Sequence, residues 1–455
     1  MAGINKVFET ARRSLFAQRN AMAVTAHNIA NAGTVGYTRQ RADLTTTAPT
    51  RESVGLLGSG VELSSVSRLR DNFIDTQVRN SQQSLGSSTL QSRIFDQIEA
   101  IMNEPSSNGL QSMMQNFSKA WQTLATTPED LGARQIVLQS ARSLSTGIKQ
   151  IQNNFSSLRS DIKDEIVSKV NKINTLTSQI SDLNKKILDA SNANLTANDL
   201  MDTRDNKIDE LSQLANVKTY EDTKGVIRVN VGGVTVADEN SAVPFSVTDN
   251  GTTLSVGIAS STSAANINSG ELGGMLTHYN DVIPKYMSDI DTLATSIFTE
   301  VNTVHNAGFG LGTPAPTGND FFSSYTNGTL TITPTIESDP RLIAASKTGA
   351  AGDNDVATQI ANIFETPTMN GGTVTHQQYY NMLLGKIGSD ASRVKQETDG
   401  QQLIMIQLQS QRNSFSAVSL DEEMTNMIKF QRSYDASAKL IKAVDEMMST
   451  IIQMV

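Results

Sequence analysis

Catalytic and metal-binding proteins are usually betrayed by histidines, cysteines and carboxylates at short, fixed spacings, and this chain offers few such groupings. It has no cysteine, which removes disulfides, thiolate catalysis and Cys-based zinc sites together. Its four histidines, His27, His278, His305 and His376, stand far apart with no His-x-x-x-His or His-Glu pairing. Ordinary surface or helix positions are expected for them, with no metal and no cofactor. The acidic cluster Asp199, Asp202, Asp205, Asp209 and Glu210 has the residue types of a cation site or an acid pair. Arg204 and Lys207 interleave it at helical spacing, so a solvated, salt-bridged face is expected instead. Gly308-Phe309-Gly310-Leu311-Gly312 follows a helical pattern and lacks a Gly-Lys-Ser/Thr ending, so it reads as a turn and not a phosphate loop. Ser160 and Lys163 match Ser-x-x-Lys but fall inside a long helical repeat with no pocket, and Trp121 beside Phe117 and Leu124 reads as core. No catalytic site emerges.

Charge and hydropathy narrow the partners. A net charge of -9 and a pI near 5.1, without a Lys/Arg run interleaved by aromatics, argue against nucleic acid. The opening Met-Ala-Gly-Ile-Asn-Lys continues as a charged amphipathic helix and lacks the pattern of a cleaved signal peptide. Nothing approaches 18 consecutive apolar residues, so membrane insertion is not expected. A cytoplasmic protein follows, unless another export route reads an uncleaved N-terminus.

The elements are clearest at the two ends. Leu420, Met427, Tyr434, Ile441, Met448 and Val455 recur at sevens to the last residue, and Phe8, Leu15, Met22 and Ile29 do the same near the first, with Ile4 and Ala11 beside them. A seven-residue apolar repeat describes a helix whose seam needs a partner, so the two ends are expected to pack on each other or on neighbouring copies. Between them, 31–60 reads as a loop or hairpin, and 69–214 as three or four helices broken at 105–109 and 127–130. Ile166, Ile173, Ile180 and Ile187, with Leu176, Leu183 and Ala190, predict a coiled-coil seam on a helix of some 40 residues from 151 to 190, about 60 Å long. Thr196-Ala197-Asn198-Asp199 is expected to start the next helix. From 217 to 258 the chain alternates apolar and polar residues around Asn250-Gly251, which predicts a small antiparallel β domain. Helix returns over 272–305, a Gly/Pro-rich insert and a strand at 329–336 follow, and helix resumes near 377.

Residues Asn28-Ile29-Ala30-Asn31-Ala32-Gly33-Thr34-Val35-Gly36-Tyr37-Thr38-Arg39 resemble the N-terminal signature of the bacterial flagellar rod, hook and hook-associated proteins. In that family an Asn-x-x-Asn step ends the first helix and a Thr-x-Gly-aromatic turn opens the next layer. Here Asn28 and Asn31 are expected to satisfy orphan carbonyls and tolerate left-handed geometry, Gly36 to supply the turn, and Tyr37 to pack it. Val35 stands where members often have Pro. The segment 419–441, opening Ser419-Leu420-Asp421-Glu422-Glu423, is similar to the C-terminal helix of the hook-associated members. Ser419 as N-cap and three acids in the first turn suit the helix dipole. The stretches Asn198–Asp205 and Gly270–Leu276 extend the resemblance over most of the chain.

What the residues and the resemblance together imply is a mainly α, elongated fold with a β-rich insertion. The N- and C-terminal helices pair as a coiled coil, a long helical bundle forms the body, and a small antiparallel β domain lies at the far end. The expected domains are an axial one (1–34 and 420–455), a helical rod with a hairpin loop (35–215, 270–307 and 376–419), and a β-rich outer one (216–269, with 308–375 as its second part). The resemblance implies a structural adaptor joining hook to filament, without enzymatic activity or cofactor. It implies export by the flagellar type III apparatus to the hook-filament junction. Its implied partners are copies of itself, the hook protein, the second hook-associated junction protein, and an export chaperone on the C-terminal helix. The expected assembly interface comprises Phe8, Leu15, Met22, Ile29, Asn28, Asn31, Gly36, Tyr37, Leu420, Met427, Tyr434, Ile441, Met448 and Val455. The alternatives are another axial subunit, such as the hook protein or the second junction protein, a flagellum-associated muramidase, which would need a carboxylate of raised pKa in a cleft, or a type III translocator, which would need a membrane-spanning stretch.

Overall fold

The computed structural model describes residues 2–52, 55–261 and 264–453. Helix α1 (Ala2–Ala30) leads into a long hairpin, β1 (Gln40–Thr46), β2 (Thr50–Glu52), β3 (Gly55–Leu57) and β4 (Val61–Arg68), in which β1 pairs antiparallel with β4 and β2 with β3. Four helices follow: α2 (Asn72–Met102), α3 (Leu110–Thr126), α4 (Leu131–Asn192) and α5 (Asn198–Leu214). Asp71 and Asp130 cap α2 and α4 through their side chains, and the breaks between helices fall at the Pro-containing stretches the sequence marks. Helix α4 has 62 residues, about 90 Å, and begins twenty residues before the expected 151–190 helix. The start of α5 falls at Asn198 after Ala197 with no side-chain cap, so the Thr196 box does not form.

Strands β5 (Val217–Glu221), β6 (Ile227–Val231) and β7 (Val234–Ala237) make one antiparallel sheet, and β8 (Phe245–Asp249) with β9 (Leu254–Ile258) make a hairpin around Asn250-Gly251. Helix α6 (Gly270–Thr277) runs through a π-helical turn, His278–Val282, into α7 (Ile283–Asn306). The insert holds a hairpin, β10 (Phe322–Thr326) and β11 (Thr329–Ile332), and three short helices: α8 (Pro334–Ser338), α9 (Asp355–Asn362) and the distorted turn α10 (Met369–Gly372). Helix α11 (His376–Ser416) starts with a Thr375/Gln378 capping box, and after three residues α12 (Leu420–Gln453) closes the described chain.

One hydrophobic cluster runs through the body from Leu90 to Val394 and takes in Ile166, Ile173 and Ile180 of α4. Ile187 is buried outside that cluster, so the whole seam is covered by the chain's own strands and helices rather than by a second coil. Strands of 217–258 lie along the flank of α4, reached through Asn174 and Asn184, while the insert packs near its start, where Arg134 donates to the Ile343 carbonyl and Ser145 to that of Leu330. Of the two β-rich stretches it is thus 308–375 that occupies the end of the body farthest from α5.

A single device docks strands onto helices throughout. Asn184 donates to the Ile227 carbonyl and accepts from its amide; Asn174 does the same with Phe245, Asn280 with Leu254 and Asn302 with Phe322. Each asparagine meets the first residue of its strand, and its primary amide stands in for the peptide group of a missing neighbouring strand, satisfying edge groups that burial would otherwise leave unpaired. The π-helical turn carries Asn280, one of these clamps.

Three of the four histidines, His278, His305 and His376, take helix positions, and all three are buried in the core. His305 donates from Nδ1 to the Asn319 carbonyl (2.7 Å) and accepts at Nε2 from the Ala344 amide (2.8 Å), pinning both sides of the insert to α7. Burial pushes its pKa down to about 4. Trp121 is fully buried, edge-on to Phe117 and Phe321.

Candidate assembly interface

The terminal helices meet within one chain. α1 packs antiparallel along α12: Asn28 near the end of α1 touches Glu423 near the start of α12, and fourteen residues further in, Ser14 and Ser437 share a hydrogen bond of 2.8 Å. What faces inward is small. Ala11, Ala21 and Thr25 on α1, with Ser437 and Val444 on α12, are buried. What faces outward is large: Val7, Phe8 and Phe16 on α1, and Leu420, Met424, Ile428, Leu440, Met447 and Ile452 on α12 are all exposed. An isolated helix pair ordinarily hides its large apolar side chains and shows its small and charged ones. This pair buries small side chains at its centre and leaves many of its large apolar ones outside.

The expected interface residues divide accordingly. Phe8 and Leu420 are exposed, and Leu15, Met22, Ile29, Met427, Tyr434, Ile441 and Met448 are half-buried along the edge of the contact. Val455 lies outside the described residues. On α12 the heptad read from the sequence is one line of the seam. A second, through Glu423, Phe430, Ser437, Val444 and Ile451, contains its buried members and was missed because Glu and Ser interrupt its apolar character.

The root of the pair is polar and buried. Asn28 is 1% exposed and uses all its bonding capacity: Oδ1 accepts from Tyr37 Oη (2.8 Å) and the Gln40 amide (2.9 Å), while Nδ2 donates to the Gln40 carbonyl (2.8 Å) and Glu423 (3.0 Å). It is a fifth strand clamp, on the first residue of β1, extended to grip α12. Arg39 completes the node, donating to Glu423 and Glu422 at 2.7 and 2.6 Å, and its own amide bonds Ser416 just before α12. Glu423 is therefore a buried partner more than a dipole-facing acid; its signal in the sequence is an acid falling on a seam line. Asn31 donates from its side chain to the His27 carbonyl (3.0 Å), which its own backbone amide also bonds, so that carbonyl is no orphan; Asn28 donates to the Gln40 carbonyl instead, and neither adopts left-handed geometry. Gly36 does, at φ 77°, and a Cβ there would collide with the Asn206 side chain at 2.0 Å, so the turn requires glycine.

Behind the root, the acidic cluster divides: Asp199 and Glu210 stay on a solvated face, where Lys207 pairs with Glu210 at 2.9 Å, while Asp202 and Asp205, with the half-buried Asp209, form a buried knot. Asp202 accepts from the Thr38 amide (2.9 Å) and pairs with Arg68; Asp205 pairs with Arg68 and Arg70 at 2.8 and 2.7 Å; Asp209 pairs with Arg79 and Arg412. Burial alone would raise the Asp205 pKa, but Arg70, Arg204, Arg68 and Arg79 outweigh it and hold it at about 2. Sequence spacing pointed to Arg204 and Lys207 as partners, while most of the pairing arginines come from the hairpin, α2 and α11. No group of His, Cys, Asp and Glu able to hold a metal occurs among the described residues, and none of their helices is long and apolar enough to cross a membrane.

Both ends carry the marks of a flagellar axial subunit: residues 8–38 match the family described as flagella basal body rod protein, and 409–454 match the flagellar basal body rod FlgEFG protein C-terminal family. Residues 95–322 match the flagellar hook-associated protein FlgK helical domain. The sequence is 31% identical to flagellar hook-associated protein 1 of Bacillus subtilis, over 98% of this chain and 97% of that protein. It is 25% identical to flagellar hook-associated protein 1 of Escherichia coli, over 99% of this chain and 100% of that protein. The chain belongs to the flagellar hook-associated protein 1 family and is a structural component of the bacterial flagellum. A solved structure titled as the flagellar hook junction protein FlgK from Burkholderia pseudomallei shares the fold, with a TM-score of 0.63 at 17% identity, covering 76% of this chain and 100% of that one.

Proposed function

We propose that this chain is the adaptor that joins hook to filament, and that it assembles through the outward faces of α1 and α12. The observation that carries the reading is the inverted helix pair: small residues line the inner seam while Phe8, Phe16, Leu440 and Met447 face solvent. Apolar surface left outside contributes association free energy when neighbours cover it, at about 25 cal/mol per Å². Heterologous contacts of this kind propagate around a tube without closing. The partners are copies of this chain, the hook protein, the second hook-associated junction protein and, before assembly, an export chaperone on α12 laid into a groove. Export through the flagellar type III channel to the hook-filament junction suits a cysteine-free chain.

The terminal pair acts as an axial unit (1–34 and 420–455) distinct from the rod and outer parts. In support, no described residue of α1 or α12 belongs to the main core. The protein works as a structural element and not as an enzyme, consistent with Asp43, Asp205, Asp249 and Asp353, whose pKa values all shift downward, opposite to a glycosidase acid. The test is incorporation into flagella. Replacing Ile441 and Met448 with Asp is expected to abolish it while the body stays folded, and Phe16→Asp, at a side chain already 44% exposed, is expected to do so without disturbing the α1–α12 pair. Normal motility in these variants would overturn the reading.

A further inference from the structure

The contact between α11 and α2 changes character partway along. Up to Val394, α11 buries Tyr380, Leu383, Ile387 and Val394 in the main core. Beyond it only Met405 and Leu408 are buried, in a separate small cluster with Val78, flanked by Ile74 and Leu85. Facing this stretch is a cleft of about 410 Å³ between α2, α4 and α11, lined by Gln82, Thr89, Gln402 and Gln409 and by the ion pairs Arg93–Glu165 and Lys169–Glu271. The charges are already paired with each other, so nothing there is left to recognise a ligand. Leu403 and Ile404 are 69% and 47% exposed.

Gly400 sits in the middle of this stretch. At Gly86, on the opposite wall, a Cβ would meet the Gln213 carbonyl oxygen at 2.4 Å, so packing demands glycine; at Gly400 nothing lies within 4 Å. A helix-interior glycine with room for a methyl group only weakens its helix, by roughly fivefold in the local equilibrium. Past the weak stretch, Arg412 re-anchors α11 to Asp209 at 2.7 Å and to Asp75 at 3.7 Å.

We infer that residues 395–411 form a strap, fixed at Val394 and Arg412, that opens as a unit far more readily than the body unfolds, uncovering Val78, Met405 and Leu408. Opening leaves both anchors intact, because the main core holds one and the acidic knot the other. Its basis is thin cohesion: two buried side chains over seventeen residues, against four over the nineteen of 376–394 that α11 contributes to the main core. The property belongs to the single chain and does not depend on the hook-filament reading.

Hydrogen exchange on the full-length monomer tests it. Amides of 396–411 are expected to exchange at least a hundredfold faster than those of 380–394. Gly400→Ala is expected to slow the strap about fivefold, and Met405→Ala to speed it at least tenfold without changing 380–394. Gly388→Ala, also in open space but within the anchored half, is expected to leave the strap unchanged. Equal protection along all of α11, or an identical effect of the Gly400 and Gly388 substitutions on 396–411, would overturn the strap.

Discussion

The seven-residue apolar repeat occurs in two regions of this chain and meets two different fates. In α4 the residues Ile166, Ile173, Ile180 and Ile187 are sealed beneath the chain's own strands and helices. In α12 the equivalent line, Met427, Tyr434, Ile441 and Met448, is only half-covered, and further large apolar side chains look outward beside it. A repeat announces that a helix face needs cover; it does not say who supplies it. The body is a finished object and the terminal pair an unfinished one, and the same periodicity serves both.

Substitutions can break that contrast, and the largest effect is expected inside the body. Ile173→Asp should unfold it, since an uncompensated charge in a fully buried site exceeds the 2–5 kcal/mol that even truncation to Ala costs; a folded variant in urea titration would contradict the assignment of α4. Acid comes next. His305 is held to about 4 by burial against an ordinary value of 6.5, so the unfolded chain takes up its proton first. Its contribution is intact above about pH 6.5 and is lost as pH falls toward 4, roughly 3 kcal/mol in all. His278 and His376, also lowered by burial, act in the same direction. Asp205, at about 2 against 3.8, adds a second loss only below pH 3.8. Replacing His305 with Gln should flatten the urea midpoint between pH 6.5 and 4.5; an unchanged slope would remove His305 from the account.

The asparagine clamps sharpen the comparison because both regions use them. Asn184→Asp should cost the body about 2–3 kcal/mol of global stability, by turning a donor toward the Ile227 carbonyl into an acceptor. Asn28→Asp makes the same change beside Glu423, yet should leave the urea midpoint alone and appear only as faster hydrogen exchange through the root of α1 and α12. A shared fall in global stability would show that the pair and the body fold as one. The smallest effect is expected for Ser437→Ala, within about 1 kcal/mol by helicity loss on heating, because its hydroxyl bonds Ser433 on its own helix as well as Ser14 across the seam.

Much of the fold was legible because local chemistry fixes it. Pro105, Pro128 and the 417–419 break punctuate the helices, and Asn250-Gly251 turns a hairpin wherever it is flanked by alternating strands. The break at 127–130 marked where α4 starts, but its unbroken length was read short, although Val137, Leu144, Ile151 and Leu158, and beside them Ala141, Ile148, Phe155 and Ile162, recur at sevens all along it. The site was half legible. Phe8, Gly36, Tyr37 and Ile441 lie where the terminal helices and their turn require, while Arg39, Glu423 and the clamp made by Asn28 involve partners hundreds of residues apart or matched through a backbone edge, for which linear spacing holds no signal.

By itself the sequence determined where helices run, which faces of them are apolar, and that no cysteine chemistry exists, since each of these is a property of residues a few positions apart. Tertiary structure alone decided that the isoleucine seam is roofed by strands, that Asp202 and Asp205 are buried among arginines of other elements, and that the terminal pair turns its large side chains outward. Burial and ion pairing depend on what the rest of the chain brings alongside, and that is set by packing, which periodicity cannot encode.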